Sequence, residues 1–243
     1  MAASDVQYDA LAQQYERAKH IPTGLAERAT LLAALPDLTD RSVLDVACGT
    51  GFYARLYRDR GATRVVGVDS SAEMVAHARD VEEREPLGIE YHHLDATSLP
   101  VLGSFDVVTA VWLLGYAADP TAMATMVANL RANVVPGGRV VVLVPNPDVD
   151  WDVMDGYFRY GYVVHRSGAD RVPQPVTVHV LGDPPFDFDS FFWPPGTYET
   201  ALAEGGLTGI SRHPTVIPAD DQSEAFWEPL RRSPSFAVYS GTT

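Results

Sequence analysis

One cysteine, Cys48, occurs in the 243 residues, so no intrachain disulfide can form and a reducing, cytoplasmic setting is expected. Apolar runs are short. None approaches the roughly 20 residues that a membrane-spanning helix needs, and Met1 to Asp9 has neither the basic nor the apolar region of a secretory signal. Basic residues are scarce: 18 Lys and Arg stand against 32 Asp and Glu, a net charge of −14, and no basic cluster is longer than Arg231-Arg232. Binding a nucleic-acid backbone takes a basic patch that releases counterions. Nucleic acid and membrane are therefore not expected partners. The histidines have no third ligand at suitable spacing, so no metal is expected. What is present is a 46% hydrophobic content, enough for one substantial core with a small insertion.

The apolar pattern alternates strand and helix. Residues 5–35 have helical spacing, interrupted at Ile21-Pro22-Thr23-Gly24. Strands are expected at 42–47, Arg64 to Val68, Ile89 to Leu94, Phe105 to Val111 and Arg139 to Val144, with helices between them. Ser70 and Glu73 read as a capping box, and Asp119-Pro120 as a helix start. This is the rhythm of an α/β, doubly wound parallel sheet with right-handed crossovers. It changes at Pro145. Tyr160 to His165, Val176 to Leu181 and Phe186 to Phe192 read as short antiparallel strands, an inserted β-lid over 146–196 for substrate binding or dimerisation. Asp183-Pro184-Pro185-Phe186 falls between two of them and reads as a turn. A helix from Gly196 to Leu207 and strands at Thr208 to His213 and Ser235 to Ser240 return to the core, so the core comprises 1–145 and 197–243.

The central strand breaks into Cys48-Gly49-Thr50-Gly51 before a helical stretch, which exposes backbone amides to a ligand. Gly49-Thr50-Gly51-Phe52-Tyr53-Ala54 fits the dinucleotide fingerprint by its letters, and Asp69 lies where a ribose carboxylate belongs. An NAD-dependent oxidoreductase is thus one reading. Asp45 argues otherwise: a carboxylate four residues before Gly49 repels a pyrophosphate and favours a cation. Asp95 adds an acceptor at the end of the third strand, and Trp112-Leu113-Leu114-Gly115-Tyr116 is an apolar floor without phosphate-binding character.

Together, Asp45-x-Ala47-x-Gly49-x-Gly51, Asp69, Asp95-Ala96, Phe105-Asp106-Val107-Val108 and Pro136-Gly137-Gly138 resemble the ordered motifs of class I S-adenosylmethionine-dependent methyltransferases, over most of residues 40–145. Ala47 stands where many members have glycine. The resemblance implies a Rossmann-like seven-stranded sheet and S-adenosylmethionine as cofactor. It implies that Asp45, Ala47 and Gly49 line the methionine moiety, with Cys48 and Gly51 as further cofactor-binding positions of the turn, and that Asp69 binds the ribose hydroxyls. Ser70 and Met74 would flank the adenine, Asp95 and Ala96 would read its amino edge, and the Val111 carbonyl would meet the ammonium. Tyr8, Tyr15 and Lys19 would lie on an amino-terminal helix that covers the cofactor. Tyr8-Asp9, Tyr15, Lys19, Asn146-Pro147, Tyr160-Gly161, Trp193, Tyr198-Glu199 and Trp227 near Pro229 look similar to the toxoflavin-pathway type of small-molecule methyltransferase, which methylates nitrogen on heterocycles.

A flat aromatic or heteroaromatic metabolite is the expected acceptor, in a monomer or homodimer. Trp112, Tyr116, Tyr157, Tyr160, Phe191, Phe192 and Trp193 are candidate walls, with His165 and His179 as further contacts. Tyr15, His165 and His179 are the candidate catalytic residues. A nitrogen lone pair needs no strong base, whereas a hydroxyl does. The absence of an evident His–acid pair leans towards nitrogen, with an O-methyltransferase as the alternative.

Overall fold

The computed structural model describes residues 12–168, 170–220 and 222–243. Tyr8 lies outside them. Five parallel strands form most of the main sheet: β1 (Ser42–Val46), β2 (Arg64–Asp69), β3 (Ile89–His93), β4 (Phe105–Val111) and β5 (Val134–Pro145). A second, antiparallel sheet holds β6 (Tyr162–Arg166), β7 (Gln174–Val180) and β8 (Phe186–Phe192) in that order. The main sheet closes with β9 (Thr208–His213) and β10 (Phe236–Thr242), giving the seven-stranded order β3-β2-β1-β4-β5-β10-β9. β10 runs antiparallel to both of its neighbours. The Rossmann-like sheet with an antiparallel lid is therefore the observed architecture.

Helices cover both faces: α1 (Ala12–Ala18), α2 (Pro22–Ala34), α3 (Phe52–Asp59), α4 (Ala72–Arg84), α5 (Pro120–Ala132), the single turn α6 (Trp151–Met154), α7 (Thr197–Glu204) and α8 (Glu224–Arg232). Buried side chains of α2, α3, α4 and α8 share one core layer with Val43, Val65 and Val107, while α5 and α7 pack against Leu44, Val66 and Val108 on the other face. Successive strand residues point to opposite faces, so a strand covered on both sides must be apolar throughout. β1 and β4 obey this except at Ser42 and Asp106, and at Asp45 and Thr109, which hydrogen-bond each other (2.8 Å). Asp106 is structural: its Oδ2 accepts from the Ser42 N–H (2.9 Å) and hydroxyl (2.7 Å).

Three local expectations are corrected. Helix α4 is capped by Ser71, not Ser70: the Ser71 hydroxyl accepts from Met74 N (3.2 Å), while Ser71 N donates to Asp69 Oδ1 (2.9 Å). Asp69 thus holds the second residue after the strand and shifts the cap by one. Tyr160 is not in a strand. Residues Tyr157–Tyr160 form a 3-10 turn that ends at Gly161, whose φ of +97° is left-handed, and β6 begins after it. Helix α8 was not expected, because Pro229 lies inside it. Proline removes a helical hydrogen bond, but the Ser223 hydroxyl caps the first turn at Phe226 N (3.2 Å). Trp227 then stacks on Tyr160 (5.7 Å between centroids, 7° between planes), and this buried ring fixes the helix.

Candidate functional site

A groove of about 1040 Å³ opens at the carboxyl ends of β1 to β4, where open α/β sheets bind ligands. Of the expected cofactor residues, Tyr15, Ala47, Gly49, Asp69, Ser70, Met74, Asp95, Ala96 and Val111 line it, joined by Leu94, Thr97, Leu113 and Met126. Each strand contributes its end because the parallel register staggers them side by side. Asp69 organises the rim. Its Oδ2 accepts from Gly49 N (2.7 Å) and its Oδ1 from Ser71 N, so it ties the glycine turn to the start of α4. Asp95 caps the 3-10 turn Ala96–Ser98, its Oδ1 accepting from Thr97 N (2.7 Å) and from the Thr97 hydroxyl (2.8 Å).

Asp45, Cys48 and Gly51 lie below this surface. Cys48 is buried, and burial pushes its thiol up, foremost among effects that include Asp69 and Asp45. It is packed against Gly67, where an added Cβ would lie 2.9 Å from its Sγ. Gly51 serves the backbone: its φ is +79°, and a Cβ there would sit 2.3 Å from the Tyr91 hydroxyl oxygen. Ala47 takes a left-handed φ of +62° as well, where glycine carries no steric penalty. Asp45 is 1% exposed; Thr109 satisfies Oδ1, and among the described residues Oδ2 has no hydrogen-bond partner. Burial raises its carboxyl to about 7, with Thr109 opposing, Asp69 adding and Lys19 opposing.

Helix α1 lies over the turn. The Tyr15 ring is 3.4 Å from where a Cβ on Gly49 would be. Glu16 latches the helix down: Arg55 Nη2 donates to its Oε1 (2.5 Å), the Thr50 hydroxyl donates to its Oε2, and Arg55 Nη1 donates to Thr50 O (2.8 Å). Glu16→Ala is expected to weaken ligand binding in the groove about tenfold, through roughly 1–1.5 kcal/mol of lost latching. Calorimetry checks this, and Arg55→Ala should add little to Glu16→Ala if the two act as one latch.

A second cavity of about 820 Å³ lies beyond Trp112, between α2 and the lid. Tyr15, Trp112 and Tyr116 line both spaces and separate them. Lys19 belongs to this cavity, not to the groove, because its ammonium turns to the Tyr15 hydroxyl (3.3 Å) and lies over the Tyr15 (4.4 Å) and Tyr53 (5.1 Å) rings. Burial works against its charge, yet Tyr15, Tyr53 and Glu27 raise its pKa above the ordinary lysine value. Glu27 is the residue that the sequence reading missed. It is 7% exposed, and its Oε2 accepts from Trp112 Nε1 (3.2 Å). Burial pushes its carboxyl up, opposed by Lys19 and Trp112. The signal was present: Glu27 interrupts the buried face Thr23, Ala26, Thr30, Leu31 and Ala34 of α2.

The lid supplies the opposite wall through Tyr162, Val164, Val178, Val180, Phe186, Phe188 and Phe192. Several expected acceptor contacts are corrected here. Tyr157 and Tyr160 are core residues with 0% exposure; the Tyr157 hydroxyl donates to Ser233 O and Pro229 O, and that of Tyr160 to Phe226 O (2.5 Å). Trp193 is buried and donates to Ala117 O (3.2 Å). His165 and His179 sit on β6 and β7 out of phase with the cavity-lining Val164, Val178 and Val180, so strand alternation sends them to the outer face. His179 pairs there with Asp187, a His–acid pair outside both cavities. Phe191 is likewise out of phase with the lining Ser190 and Phe192 on either side of it, and packs against the other core layer. Among the described residues, no group of three or more His, Cys, Asp or Glu is placed to hold a metal, and no helix is long and apolar enough to cross a membrane.

Residues 43–138 match the family described as "Methyltransferase domain". The match spans the strands and turn that build the groove. The chain carries a methyltransferase domain over these residues. Its likeness to an S-adenosylmethionine-dependent methyltransferase of Mesorhizobium loti is one of fold, with a TM-score of 0.65, 24% identity and coverage of 90% of this chain and 99% of that one. It is 26% identical to the N-demethylindolmycin N-methyltransferase of Streptomyces griseus, over 79% of this chain and 81% of that protein. It is 29% identical to a ubiquinone biosynthesis O-methyltransferase of Coxiella burnetii, over 73% and 70%. With other curated relatives the chain spans half of their length or less.

The cofactor of this methyltransferase family is S-adenosylmethionine, and the groove fits it. Among the described residues lining the groove there is no Lys, Arg or His, while Asp69 and Asp95 are both there. A pyrophosphate would meet two carboxylates and no cation. The Gly49 and Gly51 amides are also engaged, by Asp69 Oδ2 and by Cys48 O (3.0 Å), which leaves these two amides spent for a phosphate. Beneath the turn, the unpartnered Asp45 Oδ2 supplies negative charge suited to a cationic ligand.

Proposed function

We propose that this protein transfers a methyl group from S-adenosylmethionine to nitrogen on a small, flat aromatic or heteroaromatic metabolite. The observation that carries the reading is the apolar second cavity, joined to the cofactor groove only across Tyr15, Trp112 and Tyr116 among the described residues. When bound, S-adenosylmethionine supplies a methyl group already activated on a sulfonium. The protein's task is then to align the acceptor and exclude water. In this reading Asp69 holds the ribose hydroxyls, Met74, Leu94, Ala96 and Leu113 enclose the adenine, and Asp95 receives its amino group. Tyr15 and Trp112 shut the groove from above. Residues 146–196 act as the acceptor-binding unit, and Phe186, Phe188 and Phe192 take the flat ring. The net charge of −14 supports a small-molecule acceptor over nucleic acid.

A hydroxyl acceptor is the second reading. It is favoured by Glu27 and Lys19 in the same cavity, a carboxyl that can take a proton and an ammonium that stabilises an oxyanion. Calorimetry with S-adenosylmethionine and with NADH tests the cofactor assignment: micromolar binding of the first and none of the second is expected, and the reverse would overturn it. Transfer of labelled methyl to matched heterocyclic amines and phenols separates nitrogen from oxygen.

A further inference from the structure

Glu27 places a carboxyl group in a cavity whose lid wall is largely apolar, with Val178, Val180 and three phenylalanines. Buried carboxylate oxygens are normally filled with donors. Here Oε2 is held by Trp112 Nε1 at 3.2 Å, and among the described residues Oε1 has no hydrogen-bond donor. Lys19 shares the cavity but does not supply one; its ammonium is turned to the Tyr15 hydroxyl and the Tyr15 and Tyr53 rings. Trp112 follows the end of β4 with a left-handed φ of +66° and stands between the two cavities. Glu27 is therefore one hydrogen bond from the wall across which the methyl group must pass.

We propose that Glu27 is the specificity-determining residue for the acceptor, its Oε1 accepting a hydrogen bond from the N–H of a neutral, flat nitrogen heterocycle or arylamine. This rests on the methyltransferase reading of the same site. The charges around it define the class. Lys19 and Glu27 offset each other for an ionic ligand, since each attracts the charge that the other repels, while a ketone or ether oxygen turns lone pair against lone pair at Oε1. A neutral N–H donor satisfies the unfilled oxygen and lets its ring lie against Phe186, Phe188 and Phe192.

The test is a calorimetric comparison of indole with benzofuran, two rings of one shape that differ in N–H against oxygen, and with 2-naphthol as a hydroxyl donor. It is run with and without S-adenosylhomocysteine, whose own titration is read separately. Indole is expected to bind at least tenfold more tightly than benzofuran. In Glu27→Gln the amide oxygen takes the Trp112 N–H and the amide N–H₂ faces the cavity, a donor against a donor. Indole should lose at least tenfold there, while benzofuran changes by less than threefold. Equal binding of indole and benzofuran to the wild-type protein, failure of all three probes to bind, tighter binding of 2-naphthol than of indole, or an unchanged indole affinity in Glu27→Gln would each overturn the proposal. The wild-type preference needs no variant, so misfolding of Glu27→Gln does not remove the test. Failure of S-adenosylhomocysteine to bind would count against the methyltransferase reading, and the ring preference is still measured without it.

Discussion

Asp69→Ala is expected to lower S-adenosylmethionine affinity by roughly 100-fold or more. Two backbone amides, Gly49 N and Ser71 N, lose a charged acceptor, and in the proposed site the ribose hydroxyls lose theirs. Each hydrogen bond to a charged group contributes about 1.5–3 kcal/mol, and about 1.4 kcal/mol is tenfold in affinity. Two such losses suffice. The effect has a local and a ligand component, because the freed Gly49 amide no longer holds the turn against β2. Asp69→Asn separates them: its amide oxygen can still accept from one amide, so it should fall between wild type and Asp69→Ala. Calorimetry on both variants, with a thermal melt to show that each is folded, decides the matter. An Asp69→Ala affinity within threefold of wild type would remove Asp69 from the ribose site.

The second large effect concerns pH. Asp45 has its carboxyl raised to about 7 from an ordinary 3.8, chiefly by burial. A raised folded-state pKa means that the folded protein keeps a proton which the unfolded chain releases. The stabilisation linked to that proton is complete below about pH 4 and is lost as pH rises through about 7. A shift of about 3 units corresponds to ~4 kcal/mol. Asp45→Asn keeps the shape and the acceptor for the Thr109 hydroxyl while removing the titration. Without cofactor, wild type is expected to lose ~4 kcal/mol relative to Asp45→Asn between pH 4 and pH 9, read from urea melts across the range. Curves that run parallel would show that Asp45 does not titrate in this window. A cationic ligand favours the ionised form, so its binding near pH 6 should expel a proton, seen as a binding enthalpy that varies with the ionisation enthalpy of the buffer. The same acid that destabilises the free protein above neutrality thereby becomes part of the attraction for the cofactor.

Much of the cofactor groove was legible in the chain because its parts are local. A strand end, a glycine turn and the next strand's terminal acid are each fixed by a few neighbouring residues, and parallel register brings Gly49, Asp69 and Asp95 to one edge. The alternation of apolar strands and amphipathic helices likewise determined the doubly wound class of the sheet, while its strand order is seen only in the structure. What sequence spacing could not separate was which side chains face the ligand and which face the core. Tyr157, Tyr160 and Trp193 are aromatic in the right region, yet their hydroxyl and indole groups find carbonyls of Ser233, Phe226 and Ala117, between 66 and 76 residues away in the chain. His165 and His179 were placed by strand phase, which depends on where β6 and β7 begin.

The second cavity belongs to the tertiary structure alone. It forms where α2, the end of β4 and the lid meet, elements separated by up to about 165 residues in the chain. Glu27 shows the reason most plainly. In the sequence it is a polar position on a helix; only the packing of Trp112, 85 residues later, turns it into a buried carboxyl with Oε2 held by an indole N–H. The sequence by itself determined the cofactor, because that site is built from consecutive strand ends. Which acceptor is admitted depends on long-range burial, which desolvates a charge and so gives it selectivity that no local pattern encodes.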